Sequence, residues 1–241
     1  MLHKTKGIVL KTVTYSESSV IAHIFTEKFG IQAYLVNGVK KAKAKIPYNI
    51  LQPLHLLDMV VYYKQQAQLQ RIAEAKAEPV FRTIPYHLVK NTIVQFLNEV
   101  LYKSIRHQQS DPGLFNFLFH TIVLFDEMPE VNINFHLVFL MKLSRFLGFS
   151  PLAIASASHR YFDLQEGRFT SVMPVHPYFI DGKDGNMLIA LLNSSFEKNL
   201  SLSIENTYRR FLLDKILVFY RLHTASFGEV RSHEILEEVL S

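Results

Sequence analysis

A chain of 241 residues, nearly half of them apolar (49%), can build one large domain or two modest ones with real cores. It contains no cysteine, which excludes disulfides and thiolate zinc sites. The net charge of +5 is uneven: residues 1–78 hold 11 Lys+Arg against 5 Asp+Glu, and residues 79–241 hold 15 against 16. An anionic partner is therefore expected to meet the first third.

Residues 1–78 read as five strands. Residues 6–13 are rich in β-branched side chains, and Tyr15-Ser16-Glu17-Ser18 turns the chain. Residues 20–25 alternate into a second strand, and Glu27-Lys28-Phe29-Gly30 makes the next turn. In the third strand Ile31, Ala33 and Leu35 share one face while Gln32, Tyr34 and Val36 share the other. Asn37-Gly38 ends it, since both residues tolerate a left-handed backbone. Lys40, Lys41, Lys43 and Lys45 then fall within six residues with no acid among them. Residues 50–63 predict a long fourth strand and residues 67–75 a fifth, containing Arg71. Five strands closed by turns suit a small OB-type barrel, although an SH3-like barrel has a similar count.

The pattern changes at Glu78-Pro79, which predicts an OB-fold domain over 1–78 and a helical domain over 79–241, an α+β chain overall. Helical spacing runs over 86–107. Asp111-Pro112 caps and opens a second helix to about residue 125, apolar nearly all round and so expected in the middle of a bundle. A third helix covers about 132–147 and stops at Gly148. Residues 152–186 interrupt the bundle with a hairpin over 159–169 and a loop marked by Pro174, Pro177, Gly182 and Gly185. Helical spacing returns over 187–192 and 203–223, and Ser232 caps a final helix.

Enzymatic signatures are absent: no G-x-S-x-G, glycine-rich phosphate loop or H-E-x-x-H occurs. His159, Asp163, His176, Asp181 and Asp184 match no ligand spacing, so neither metal nor cofactor is expected. His107, His120, His136 and His223 lie among apolar residues and read as hydrogen-bonded structural histidines. The chain reads as a binding protein, not an enzyme. OB barrels hold single strands with a positive groove and aromatic platforms. Lys28, Lys40, Lys41, Lys43, Lys45 and Arg71 are the candidate phosphate ligands, with Lys11 less well placed, and Tyr34 is the candidate base platform. Tyr48, Tyr62 and Tyr63 read as packing. Lys4 and Lys6 precede no apolar h-region, and no run is long enough to span a membrane, so a cytoplasmic protein without membrane contact is expected.

Several short motifs, in order, resemble the bacterial recombination mediator family RecO. They are Gly7-Ile8-Val9-Leu10, Tyr15-Ser16-Glu17-Ser18-Ser19, Thr26-Glu27-Lys28-Phe29-Gly30 and Asn37-Gly38-Val39-Lys40-Lys41. Leu147-Gly148-Phe149-Ser150-Pro151, Phe162-x-Leu-x-x-Gly167-x-Phe169 and Arg221-Leu222-His223 followed by Arg231-Ser232 continue the likeness across nearly the whole chain. The resemblance implies an OB-fold domain joined to a helical domain, binding of single- and double-stranded DNA, and strand annealing. It also implies a nucleoid-associated protein, partnered by RecR and by the acidic C-terminal tail of single-stranded DNA-binding protein, that loads recombinase on coated DNA. Many members carry two cysteine pairs around the hairpin, holding zinc. This chain has none, so Tyr161, Phe162, Leu164 and Phe169 are expected to hold that region by packing. An acidic, aromatic-ended tail needs an apolar pocket with nearby cations, and Arg106, Lys142, Arg145, Arg209 and Arg210 are the candidates. An RNA-binding barrel and a protein-interaction adaptor with a helical peptide groove remain as alternatives, with an enzyme third.

Overall fold

The computed structural model describes residues 1–105, 109–152, 160–196, 203–225 and 227–241. They form two compact units, Met1–Pro129 and Glu130–Ser241. The first unit begins with five strands: β1 (Leu2–Thr14), β2 (Val20–Thr26), β3 (Gly30–Val36), β4 (Leu56–Tyr62) and β5 (Gln70–Ala77). They close as β1-β2-β3-β5-β4, with β1 antiparallel to both β2 and β4, and β3 parallel to β5. That order is the OB arrangement and resolves the ambiguity with an SH3-like barrel.

The closure depends on β1, whose 13 residues serve two partners in turn. Its first half pairs with β4, from Leu2↔Tyr62 to Ile8↔Leu56, and its second half with β2, from Gly7↔Thr26 to Thr14↔Val20. A register shift between Val9 and Lys11 bends the strand where it passes between partners. Gly7 pairs with both Thr26 and Leu57 and faces the barrel axis. A Cβ there would come within 2.6 Å of both Ile24 Cγ2 and Met59 Cε. The interior is filled by Val9, Val20, Ala22, Ile24, Tyr34, Val36, Leu57, Met59 and Val61.

The fourth strand is shorter than the 50–63 expected. Tyr48–Leu51 forms a single 3-10 turn, and buried Leu54 has φ 57, a left-handed conformation no strand accommodates. Its amide still reaches Val9 O at 2.7 Å, so the turn is tied to β1.

Two helices, α1 (Leu88–Ser104) and α2 (Pro112–Glu127), complete the unit. They lie against β1 and β2: Asn98 Nδ2 donates to Leu10 O at 2.8 Å, and the Phe115 ring sits 5.8 Å from that of Phe25. Asp111 caps α2 by accepting from Leu114 N, with Pro112 at the first helical position, as its sequence predicts. The segment before α1 is fixed by a buried polar knot. The Asp126 carboxylate accepts from the amides of Arg82, Thr83 and Ile84, and Lys90 Nζ donates to Thr83 Oγ1 and to the carbonyls of Asp126 and Met128. Burial opposes the Asp126 charge, but the backbone donors outweigh it and hold its pKa below the ordinary value.

The second unit holds α3 (Phe135–Phe146), a three-stranded sheet of β6 (Tyr161–Asp163), β7 (Arg168–Thr170) and β8 (Phe179–Asp181), then α4 (Gly182–Asn193), α5 (Asn206–His223) and α6 (Ser232–Val239). The central helix is α3 rather than α2, since every residue from Phe135 to Met141 is buried, whereas Asn116 and His120 of α2 face solvent. The hairpin is as the sequence predicts, but β8 adds a third strand beside β6. Tyr220 Oη donates to Leu140 O at 2.6 Å, tying α5 to α3.

Two outcomes follow from this packing. Gly7→Ala is expected to destabilise the chain by about 1–3 kcal/mol through overpacking, read as a lower urea midpoint at unchanged slope. His136, buried and facing the Arg209 charge, has its pKa pushed down to about 3. An unfolded histidine takes a proton near pH 6.5 and the native one does not, so stability falls as pH drops below that value, by up to about 1.4 kcal/mol per pH unit. Urea melts at pH 7 and pH 5 should show wild type losing about 2 kcal/mol more than His136→Gln.

Candidate nucleic-acid interface

The lysine loop between β3 and β4 is anchored at both ends in the barrel core. Val39 and Ile46 are buried, while Lys40, Lys41, Lys43 and Lys45 between them are all exposed. Tyr48 N donates to Val39 O at 3.2 Å and closes the neck. Val39 N reaches Ser18 O, and Ser19 Oγ donates to Asn37 Oδ1, so the turn after β1 braces the loop. Lys41 N to Gly38 O and Ala44 N to Lys41 O add turns within it. The loop therefore presents its ammonium groups from an ordered backbone, flanked by exposed Tyr15 and Tyr48.

One lysine in the loop has an acid beside it. Lys45 Nζ lies 3.7 Å from Glu74 on β5, a contact the sequence spacing does not show. The other barrel ion pairs, Lys4–Asp58 and Lys76–Glu78, use up two more acids. Among the described residues no acid pairs with Lys28, Lys40, Lys41, Lys43, Lys64 or Arg71. Lys6 and Lys11 lie over the rings of Phe119 and Tyr102 on the helices and do not join this set.

The strand register arranges the unpaired cations along one wall. With α1 and α2 against β1 and β2, the wall of β3, β5 and β4 stays open in this unit. Arg71 pairs with Leu35 on one side and Tyr62 on the other, on the outer face. Lys28 sits in the turn between β2 and β3, at the opposite end of β3 from the lysine loop, a strand length of about 20 Å away. There Phe29 stacks on Tyr63 at 4.0 Å, bringing the turn beside the segment that carries Lys64. The cations thus form a line of Lys28 and Lys64, then Arg71, then the lysine loop. Such a line can neutralise a chain of phosphates.

Two expected contacts are overturned by burial. Tyr34 is 0% exposed inside the barrel, where burial pushes its phenol pKa up, so its ring cannot stack on a base. The face that Tyr34 shares with Val36 is the one the barrel encloses. Arg209 is likewise buried, its guanidinium donating to Ile204 O, Asn206 Oδ1 and Leu240 O. Of the other helical cations, Arg210 is engaged by Glu237 through its carbonyl at 3.0 Å and its carboxylate at 3.8 Å. Arg106 lies outside the described residues. Lys142 is half-buried, 3.4 Å from Leu192 O and 5.8 Å from the Phe196 ring, while exposed Arg145 donates to Asn193 Oδ1. Burial, then the Arg145 charge, lowers the Lys142 pKa.

Comparison with known proteins fixes the family. The family model for the recombination protein O N-terminal region matches residues 1–81, and that for the recombination protein O C-terminal region matches residues 85–229. The chain belongs to the RecO family. It is 37% identical over 240 residues to a DNA repair protein RecO of Bacteroides fragilis, covering 99% of each chain. It is 34% identical over 241 residues to that of Phocaeicola vulgatus, covering 100% of each. The RecO of Azobacteroides pseudotrichonymphae is 33% identical over 239 residues, covering 99% of each. The role of the chain thus lies in DNA repair and recombination.

The RecO motifs gain physical reasons here. Gly148 has φ 83 and ends α3, with Phe149 N returning to Ser144 O, which swings the Phe149 ring onto Tyr220 at 5.0 Å and parallel to His223 at 5.4 Å. Gly167, at φ 64, turns the hairpin against Phe219. Where many RecO members hold zinc, this hairpin is closed otherwise. Phe162 meets Phe169 at 5.0 Å, and His176 Nε2 lies 3.2 Å from Asp163 Oδ2. Tyr178 N donates to His176 Nδ1, so both ring nitrogens are used, and the Gln165 and Glu166 amides take the other Asp163 oxygen. These groups do not fit a zinc ion. Asp181 caps α4 and Asp184 accepts from Tyr208 Oη, which disperses the rest of the inserted acids, and His159 lies outside the described residues. A separate group, Asp214, His233 and Glu237, brings three ligand atoms within 4.8 Å, but Arg210 already engages Glu237.

Proposed function

We propose that the chain is a non-enzymatic recombination mediator. It binds single- and double-stranded DNA through phosphates along the cation line of the barrel, and it promotes annealing by offsetting the repulsion between strands. The observation that carries this reading is the braced lysine loop, three of whose four ammonium groups lack an acidic partner. The charge balance supports it as well. Residues 1–129 hold 15 basic against 9 acidic groups and residues 130–241 hold 11 against 12, so the excess stays with the part that contains the barrel at either boundary. Contacts to phosphates alone are indifferent to sequence, which suits a mediator that acts wherever a strand is exposed.

In this reading the acidic tail of single-stranded DNA-binding protein docks on the second unit, near Lys142, Arg145 and Phe196, leaving the barrel free for DNA. RecR joins the same mediator, and together they load recombinase on coated strands. The support is one cation half-buried beside an aromatic ring with a second cation exposed next to it, which is the chemistry a carboxylate-rich, aromatic-ended peptide needs.

Replacing Lys40, Lys41 and Lys43 by alanine should weaken binding of every single strand alike and flatten the slope of log affinity against log salt by about 2. Glu74→Gln, which frees Lys45, should strengthen binding at low salt. An unchanged slope in the folded triple variant would reject the DNA reading in favour of an adaptor, and equal competition by RNA would broaden the ligand. For the tail, Lys142→Ala with Arg145→Ala should weaken capture of a fluorescent tail peptide by at least about tenfold while DNA affinity stays within about twofold, since a fully charged pair of contacts contributes roughly 1.5–3 kcal/mol each. Unchanged capture would place the tail elsewhere.

A further inference from the structure

The segment joining β4 to β5 forms a concavity of about 600 Å³ lined by Tyr62, Lys64, Ala67, Leu69, Gln70 and Arg71. That size falls within the range of small-molecule sites. Its lining combines one aromatic ring, one exposed aliphatic side chain and two cations, with no carboxylate.

The recess is built in advance. Gln70, 3% exposed, turns its amide back into the loop, where Oε1 accepts from Lys64 N at 3.0 Å and Nε2 donates to the carbonyls of Lys64 and Ala67 at 2.8 Å each. This fixes the loop backbone without any contribution from a ligand. Arg71 and Tyr62 are direct cross-strand partners, and Leu2 pairs with Tyr62 on its other side. The outer row therefore reads Leu35, Arg71, Tyr62, Leu2 across four strands. Tyr62 is 48% exposed and Leu2 52%, although their positions in a barrel wall would suggest packing.

We propose that this recess seats one unstacked nucleobase of a single strand, with the base lying on the Tyr62 ring and the adjoining phosphates meeting Arg71 and Lys64. A π-face and an aliphatic edge suit a flat base of any identity, and the absence of a carboxylate leaves nothing to repel the phosphates. The recess also takes in two cations of that line, Lys64 and Arg71, so a strand neutralised by the line passes its mouth. A duplex keeps its bases stacked and cannot offer one without unpairing. The recess therefore distinguishes single from double strands, whereas the lysines do not. This inference rests on the DNA reading above and adds a subsite to it.

The test uses the full chain and a labelled thymidine oligomer, compared with the same backbone carrying abasic sugars. Wild type should bind the base-carrying strand roughly 5- to 100-fold more tightly. Tyr62→Ala should lose that preference while keeping the salt slope, and Tyr62→Phe, which retains the ring, should keep both. A 2-aminopurine in the strand should be quenched on binding wild type and Tyr62→Phe but not Tyr62→Ala. If Tyr62→Ala retains the preference for bases while the lysine variants still flatten the slope, the recess does not seat a base and the DNA reading stands. If wild type binds neither strand at low salt, both fail together. An aromatic peptide that displaces the oligomer only when Tyr62 is present would assign the recess to a protein partner and overturn the proposal.

Discussion

The first unit depends on one strand pairing with two partners. Because β1 gives its first half to β4 and its second half to β2, the sheet closes without a free edge on either strand, and Gly7 is the residue that permits the crossing. The same closure turns the outer faces of β1 and β2 toward α1 and α2. It leaves the wall of β3, β5 and β4 as the side on which exposed cations can line up. The position of the interface follows from how the barrel is shut.

Charge on that wall is selected by pairing as much as by number. Eleven basic residues precede residue 79, but three are matched to acids within the barrel and two lie over aromatic rings of the helices. What remains runs from Lys28 and Lys64 past Arg71 to the lysine loop. A loop of like charges would ordinarily stay open and mobile. Here Val39 and Ile46 sink into the core, and the neck bond from Tyr48 to Val39 holds the ends together. Pre-ordered cations lose less freedom on meeting a phosphate chain than floppy ones do.

The second unit shows how a small sheet holds without the zinc that many relatives use. Three strands of three residues each bury too little to be stable alone. They are held by the Phe162–Phe169 contact, by the Asp163–His176 bond and by His223 Nε2 to Leu164 O, which joins the sheet to α5.

Local patterns in the sequence marked most of the elements and their class. Alternating residues marked five strands, Asp111-Pro112 marked a helix start, Gly148 a helix end, and the lysine run marked the basic loop, because each of these is a local property of a few neighbouring residues. The motifs also carried the family. Tertiary structure decided which face of each strand was inside, and that reversed the aromatic assignment. Tyr34 is core and Tyr62 is surface, since a period of two separates the faces of a strand without saying which of them the barrel encloses. It likewise decided that Lys45 meets Glu74, 29 positions away, that Arg209 is buried while Arg145 is exposed, and that α3 rather than α2 is central. These outcomes depend on contacts between residues far apart in sequence, and no local pattern carries them.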